Sequence, residues 1–168
     1  MKVQVKPLEG IVLNGEEISL NCSREAVEEI LGRPEQWKNS YYYYNNELRF
    51  DFNNNNELEF IEFLAGHDSR LQPEIYGICP FLVAADEVYT ILSEHNNGEI
   101  DDSENGYSYG FLETSIGIFR QNIPEDIIEM EQEAKESGEP LTREEYEDEM
   151  KKANYWATFG LGVEGYYK

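Results

Sequence analysis

The spacing of apolar residues in the first part of the chain is typical first of strands and then of a helix. Two short apolar runs, residues 11–13 and 18–20, flank Asn14-Gly15. This pair suits a two-residue hairpin turn because both residues tolerate positive φ. Apolar positions at helical spacing then predict a short helix over about residues 23–31, which Gly32 ends as a left-handed cap.

Three strand signals follow this helix. Residues 41–44 are all tyrosine, residues 48–52 alternate apolar with charged side chains, and residues 58–61 are mostly apolar. Polar turns at residues 45–46 and 53–56 separate them. The pattern predicts an antiparallel meander, a series of neighbouring strands joined by short turns.

The second half repeats this order of helix and meander. The helical positions recur at an offset of 61, with Val88, Ile91 and Leu92 following Val27, Ile30 and Leu31. The strand positions recur as Tyr107, Tyr109, Ile116 and Ile118 after Tyr42, Tyr44, Leu48 and Phe50. This pattern favours a degenerate internal duplication, although chance echoes within one α+β domain would give the same signal.

The periodicity becomes helical again from Pro124. Pro124 suits a first helical position, and Gly138 ends the helix. Its predicted buried stripe consists of Ile127, Met130 and Ala134.

A second helix is predicted to follow, since Thr142 and Glu145 have the spacing of a capping box at a helix N-terminus. The residues of this helix predicted to face inward are Tyr146, Met150 and Ala153. Alternating residues 155–163 then predict a last strand, inserted in the sheet or at its margin.

These elements predict one α+β domain over residues 1–168: an antiparallel sheet of meanders, a short N-terminal helix and two acidic helices near the C-terminus. An aromatic fraction of 13% supports a folded chain despite a net charge of −22. Cys22 and Cys79 have no CxxC spacing and are interpreted as buried free thiols. No signal peptide or membrane-spanning run is recognised, so we expect a soluble, cytoplasmic protein.

The charge is concentrated between Pro124 and Met150. Twelve acidic residues stand there against Lys135 and Arg143, a net charge of −10 for this stretch. Such a field repels nucleic acid and anionic membranes and attracts a cationic protein. We therefore expect a basic protein partner, with no nucleic-acid or membrane partner.

Several short motifs resemble ligand-binding or catalytic sites, but each lacks a neighbouring element that the site requires. Residues 160–165 match the Gly-x-Gly-x-x-Gly fingerprint, but no helix follows to hold a pyrophosphate. Residues 101–106 resemble the start of a calcium loop, yet the twelfth position is Leu112 where a glutamate is required. His67 and His95 lack metal-ligand spacing and a recognisable nucleophile. We expect no catalytic residues, no metal and no cofactor.

Two groups of residues are candidates for a protein interface. The acidic candidates lie on the two C-terminal helices: Glu125, Glu129, Glu133, Glu136, Glu144 and Asp148. Their alternative interpretation is a solvated face that keeps the protein soluble. The aromatic candidates are Trp37 with Tyr41 and Tyr43, which alternate along a strand and are expected to be exposed. The alternative is that these rings pack on a half-buried sheet.

Three segments carry a family resemblance: residues 23–34 (SREAVEEILGRP), residues 41–52 (YYYYNNELRFDF) and residues 152–160 (KANYWATFG). Together they resemble small bacterial immunity proteins of contact-dependent growth inhibition and related polymorphic toxin systems. Members of that family bind and neutralise the C-terminal domain of a toxin, often a basic nuclease, in the cytoplasm of the producing cell. The resemblance implies action by blocking and carries over no catalytic residue.

A second resemblance is carried by the helix, its Leu31-Gly32-Arg33-Pro34 end and the meander that follows. This module is similar to that of outer-membrane assembly lipoproteins and of the two-repeat β-lactamase inhibitory protein. The sequence therefore favours a non-enzymatic immunity protein that neutralises a cationic toxin domain. An acidic DNA mimic or other protein inhibitor, and a small acidic hydrolase, remain as alternatives.

Overall fold

The structure, a computed structural model, describes residues 1–168 and contains two β-sheets and four α-helices. In chain order the elements are β1 (Lys2–Lys6), β2 (Gly10–Leu13), β3 (Glu16–Ser19), α1 (Arg24–Leu31), β4 (Glu35–Trp37), β5 (Ser40–Tyr43), β6 (Leu48–Phe52), β7 (Leu58–Phe63), a 3-10 turn (Gly66–Asp68), β8 (Gln72–Glu74), α2 (Ala85–Asn96), β9 (Ile100–Asp101), β10 (Ser108–Phe111), β11 (Ile116–Phe119), α3 (Pro124–Glu136), α4 (Arg143–Ala153) and β12 (Thr158–Gly162). The α+β class with antiparallel meanders is confirmed.

The larger sheet has eight strands in the order β4-β5-β6-β7-β12-β11-β10-β9, and all its neighbours are antiparallel. The smaller sheet has the order β3-β2-β1-β8, in which only β1 and β8 are parallel. The predicted Asn14-Gly15 turn joins β2 to β3, with φ of 51° and 80° at the two residues.

The larger sheet is built from two similar halves that meet at β7 and β12. In each half a helix precedes four strands: α1 precedes β4 to β7, and α2 precedes β9 to β12. The hairpins also share their register, because Ser40 pairs with Asp51 as Ser108 pairs with Phe119. The structure thus repeats the order of elements that the sequence pattern suggested, with Tyr41 rather than Tyr44 equivalent to Tyr109.

The halves differ in the connection between their last two strands. In the first half, residues 52–59 separate the paired Asp51 and Phe60, which is 8 residues. In the second half, residues 120–157 separate the paired Phe119 and Thr158, which is 38 residues. The 30 additional residues hold α3 and α4. We call residues 124–153 the acidic hairpin, which is therefore an insertion in the second half.

One face of the larger sheet carries the main core. Leu48, Phe50, Phe63, Phe159 and Leu161 are at most 1% exposed there. These five residues belong to a cluster of 25 buried residues. The cluster also includes side chains from the smaller sheet, α1 and α2, such as Val3, Ile11, Val27, Val88 and Leu92. Both sheets and both of these helices therefore share a single core.

The opposite face of the larger sheet, which we call the open face, is not covered by a helix or a second sheet. Its middle row runs across the strands through cross-strand pairs: Glu35, Tyr42, Arg49, Glu62, Gly160, Gly117, Gly110 and Asp101. Phe60 lies on this face and is 5% exposed, yet it lies outside the main core cluster.

Several expectations from the sequence need correction. Met130 is 38% exposed, so the predicted stripe of the first acidic helix is wrong at that position, and the wholly buried residue of α3 is Ile127. The last strand is shorter than residues 155–163 and lies inside the sheet between β7 and β11. Cys22 and Cys79 are unpaired, but neither is fully buried. The sequence analysis did not anticipate β1, β4, β8 or β9.

Candidate protein-interaction surface

The acidic hairpin presents one face of α3 to solvent. At 100° per residue, Glu125, Glu129, Glu133 and Glu136 fall within an arc of about 80°. All four are exposed, and none of them makes an ion pair. Their charges are therefore available to an incoming partner.

More of the acidic residues of α4 than of α3 are neutralised by ion pairs with basic residues. Lys152 contacts Asp148 at 2.7 Å and Glu149 at 3.3 Å, which raises the pKa of Lys152. Arg143 contacts Glu147 at 2.8 Å. Glu144 is exposed and makes no ion pair, whereas Asp148 is partly neutralised. Because opposite charges cancel each other's field at a distance, the uncompensated field comes mainly from α3.

Arg120 joins the C-terminal end of the hairpin to the body of the protein. Its Nε donates to the carbonyl of Gly106 at 2.9 Å, and its Nη1 donates to the carbonyl of Ala153 at 2.8 Å. The guanidinium lies 4.8 Å from the ring centroid of Trp156. Arg120 is only 8% exposed, and its burial lowers the pKa of its guanidinium.

A second contact lies at the start of α3. The carboxylate of Asp126 accepts hydrogen bonds from the backbone N–H of Ile123 at 3.0 Å and from the hydroxyl of Tyr107 at 2.7 Å. These two bonds hold the pKa of Asp126 below its usual value. The carboxylate also lies at the positive end of the helix dipole. The first turn of α3 is therefore tied to the residue that precedes β10.

The second helix of the hairpin is capped as the sequence predicted. The hydroxyl of Thr142 accepts from the backbone N–H of Glu145 at 3.1 Å, and the Glu145 carboxylate accepts from the N–H of Thr142 at 2.8 Å. At the other end, Ala153 is 1% exposed. Trp156 then enters the main core, where its Nε1 donates to the carbonyl of Ala85 at 3.0 Å. Both helices thus have defined ends, and the hairpin has a fixed root.

The aromatic candidates do not form the exposed surface that was expected. Tyr43 is 8% exposed and donates to the carbonyl of Gly32 at 3.0 Å, and burial raises its pKa to about 12. Tyr41 is half-buried against the core and accepts from Arg24 Nη1 at 2.8 Å. The expectation that Tyr41 and Tyr43 are exposed is wrong. Trp37 is 63% exposed, as expected.

Three exposed aromatic residues instead share the open face. Trp37 pairs across strands with Ser40 on this face, Phe119 is 45% exposed, and Tyr166 is 38% exposed. The sequence analysis missed Phe119 and Tyr166. A signal for Phe119 existed, because it follows the core-facing Ile118 and so points to the other face under strict alternation. Tyr166 gave none, since it lies beyond the last strand.

The two histidines lie apart from each other in different surroundings. His67 Nδ1 is 3.5 Å from Asp68 Oδ1, and the ring lines a cavity of about 230 Å³ with Lys151, Lys152 and Tyr155. No Ser, Thr or Cys lines that cavity. His95 stacks on Tyr76 with a centroid distance of 3.7 Å.

No three or more His, Cys, Asp or Glu side chains are grouped in a way that would hold a metal ion. None of the four helices combines the length and the apolar character that a membrane span requires. Comparison of the chain with protein-family models, curated proteins and solved structures gave no match.

Proposed function

We propose that this protein is a non-enzymatic immunity protein that binds and neutralises a cationic toxin domain, in the cytoplasm of the cell that makes both proteins. The observation that carries the proposal is the row of unpaired glutamates on α3, on a hairpin with a fixed root. The resemblance of the sequence to immunity proteins of contact-dependent growth inhibition supports the same function. A basic nuclease is the toxin class that this charge fits best.

The mechanism follows from long-range and short-range forces acting in turn. The unpaired charges of α3 attract a basic domain and raise the rate of encounter. Charge alone gives little specificity, so close contacts must follow. Two exposed aromatic residues of the open face, Trp37 and Phe119, are suited to supply them, because large rigid rings concentrate binding energy. The bound inhibitor then occupies the cleft in which the toxin would hold phosphate groups.

The charge of α3 is tested by reversing it. We expect Glu125, Glu129, Glu133 and Glu136, all changed to Lys, to slow association with the cognate toxin domain by about tenfold or more at low salt, with the difference shrinking as salt rises. The measurement is stopped-flow or surface-plasmon-resonance association kinetics, with circular dichroism to verify the fold.

The matched control changes the net charge equally but at scattered positions. Glu9, Glu16, Glu29 and Glu94 are exposed and unpaired, and they lie outside the hairpin. Changing these four to Lys should slow association much less. Equal slowing in both variants would mean that total charge alone matters. A folded α3 variant that associates as fast as the wild type would leave α3 as a solvated surface and move the search to the open face.

A further inference from the structure

A row of glycines forms a trough in the open face. Gly110 pairs with Gly117, and Gly117 pairs with Gly160, so three neighbouring strands carry no side chain at the same level. The row continues into Glu62, which pairs with Gly160. Three adjacent glycines leave a depression in the sheet that is wide enough for an aromatic ring.

The segment that follows β12 fills this trough. We call residues 163–168 the strap. Added Cβ atoms at Gly117 or Gly160 would collide with the hydroxyl end of Tyr167, so this ring lies in the trough. The ring of Tyr166 stacks on Phe60 with a centroid distance of 4.5 Å and an interplanar angle of 5°. The two rings therefore occupy neighbouring positions on the same face.

The backbone of the strap is bonded mainly to itself. Val163 donates to the carbonyl of Glu59 at 3.0 Å, which is the last backbone hydrogen bond between the strap and the sheet. Beyond it, Tyr166 donates to Val163 and Lys168 donates to Gly165. The remaining attachment is the two rings and an exposed ion pair between Lys168 and Glu113 at 3.4 Å. Exposed ion pairs contribute little, so the rings provide most of the attachment.

Side chains of both charge signs line the trough: Arg49, Glu62 and Asp101. Glu62 has a side chain that is 16% exposed, and Arg49 contacts it at 2.8 Å while lying 5.3 Å from the ring of Phe60. Burial, together with the charge of Glu62, raises the pKa of Tyr167. At the other end Asp101 lines the trough. The strap thus shows the chemistry that this surface accepts, which is an aromatic pair followed by a cation.

We propose that the trough is a docking groove for a partner segment in which aromatic side chains adjoin a lysine or arginine, and that the strap occupies it in the free protein. The carboxylates of Asp101 and Glu113 and the strap's own Tyr-Tyr-Lys sequence favour this occupant. In the free protein the strap covers apolar surface that would otherwise be exposed. A partner segment displaces it because the strap's attachment is small. The partner's identity as a toxin rests on the proposed function, but the groove does not.

The groove is tested in the full chain with a synthetic peptide as probe. The peptide has the sequence of residues 163–168 (VEGYYK) with blocked ends. In the Tyr166→Ala/Tyr167→Ala variant the strap's rings are removed and the trough is empty. We expect this variant to bind the peptide, and we expect the wild type to bind it at least about tenfold more weakly because its own strap competes at high effective concentration. Isothermal titration calorimetry measures both.

Two further substitutions identify the binding place. Adding Gly117→Ala to the double variant puts a methyl group where the hydroxyl end of Tyr167 lies, and binding should fall by about tenfold or more. Adding Gly110→Ala is the matched control, since its nearest Tyr167 atom is 3.4 Å away and the methyl group fits. A peptide with both tyrosines changed to alanine should not bind.

The proposal fails in either of two cases. A folded double variant that does not bind the peptide shows that the groove accepts no aromatic segment. A double variant that does not fold, by circular dichroism, shows that the strap is a structural part of the sheet and is not displaceable.

Failure of the groove is separate from failure of the proposed function. If the peptide binds and no toxin domain does, the groove stands and the immunity function falls. If the charge of α3 governs association with a toxin while the peptide does not bind, the immunity function stands and the groove falls.

Discussion

Arg120 is the only charged residue that is buried, and it connects the root of the acidic hairpin to the rest of the protein. Its guanidinium bonds two backbone carbonyls, those of Gly106 and Ala153, that lie far apart in the sequence. An arginine can do this because its planar fork carries several donors in fixed directions. A residue that a sequence pattern assigns to no role thus fixes the position of the most charged element.

We expect Arg120→Ala to lower the free energy of unfolding by about 3 kcal/mol, because two charge-assisted hydrogen bonds are lost and the buried carbonyl of Ala153 loses its donor. Urea denaturation followed by tryptophan fluorescence measures the change. Arg120→Lys, which keeps the charge without the fork, should lose less. A change below the error of the measurement in Arg120→Ala would show that water replaces the guanidinium and that the hairpin is held elsewhere.

Asp126 gives a prediction about pH. Its pKa is lowered in the folded protein, so the stabilisation by its carboxylate is present above the unfolded pKa of about 4 and is lost as pH falls through the lower folded pKa. At pH 7, Asp126→Asn should lower the melting temperature by a few degrees. The difference from the wild type should shrink below about pH 4. A difference that stays constant down to pH 2 would mean that the asparagine disturbs packing rather than charge.

At the scale of elements, the acidic hairpin is an insertion in the second half of the larger sheet. The first half closes the same turn with eight residues, and Ile127 and Ala153, the buried residues of α3 and α4, lie outside the main core cluster. The hairpin has twelve acidic residues and four basic ones, a net charge of −8, so the rest of the chain keeps −14 of the total of −22.

We therefore expect the protein to fold without the hairpin. Replacing residues 123–153 by a short Gly-Ser linker should keep the circular dichroism of the sheet and should lower the melting temperature, because Arg120 loses a partner. If α3 steers association, the shortened chain should bind the cognate toxin domain as slowly as the fourfold Glu→Lys variant does. A shortened chain that cannot fold would show that the hairpin is part of the core.

At the scale of the whole molecule, a net charge of −22 raises the question of how one partner is selected. Any basic protein is attracted, and this attraction weakens with salt. If the protein binds one toxin domain, as proposed, we expect selection to come from short-range fit on the open face and on the hairpin.

Selectivity distinguishes an immunity protein from a DNA mimic. At physiological salt we expect protection of cells against one cognate toxin domain, with unrelated basic nucleases left active. Nuclease assays with a panel of basic enzymes measure this. Inhibition of most of the panel would favour the DNA mimic.

The same preparations should show no turnover of hydrolase substrates, and turnover that is abolished by His67→Ala would instead support a hydrolase.

The sequence by itself determined the local elements. Asn14-Gly15, the Thr142–Glu145 capping box and the apolar period over residues 48–52 act through neighbouring residues, so their geometry is encoded in short segments. The acidic face of α3 follows equally from spacing along one helix. The α+β class could be predicted for the same reason.

Only the tertiary structure decided which face of each strand is buried. Alternation along residues 41–44 allows two registers, and the choice depends on pairing with β6: Tyr41 opposes Phe50 and Tyr43 opposes Leu48, so both turn to the core. The glycine trough likewise joins residues 110, 117 and 160, which become neighbours only when β12 pairs with β11. Contacts between residues so distant in sequence depend on the packing of the whole chain, and no local pattern records them.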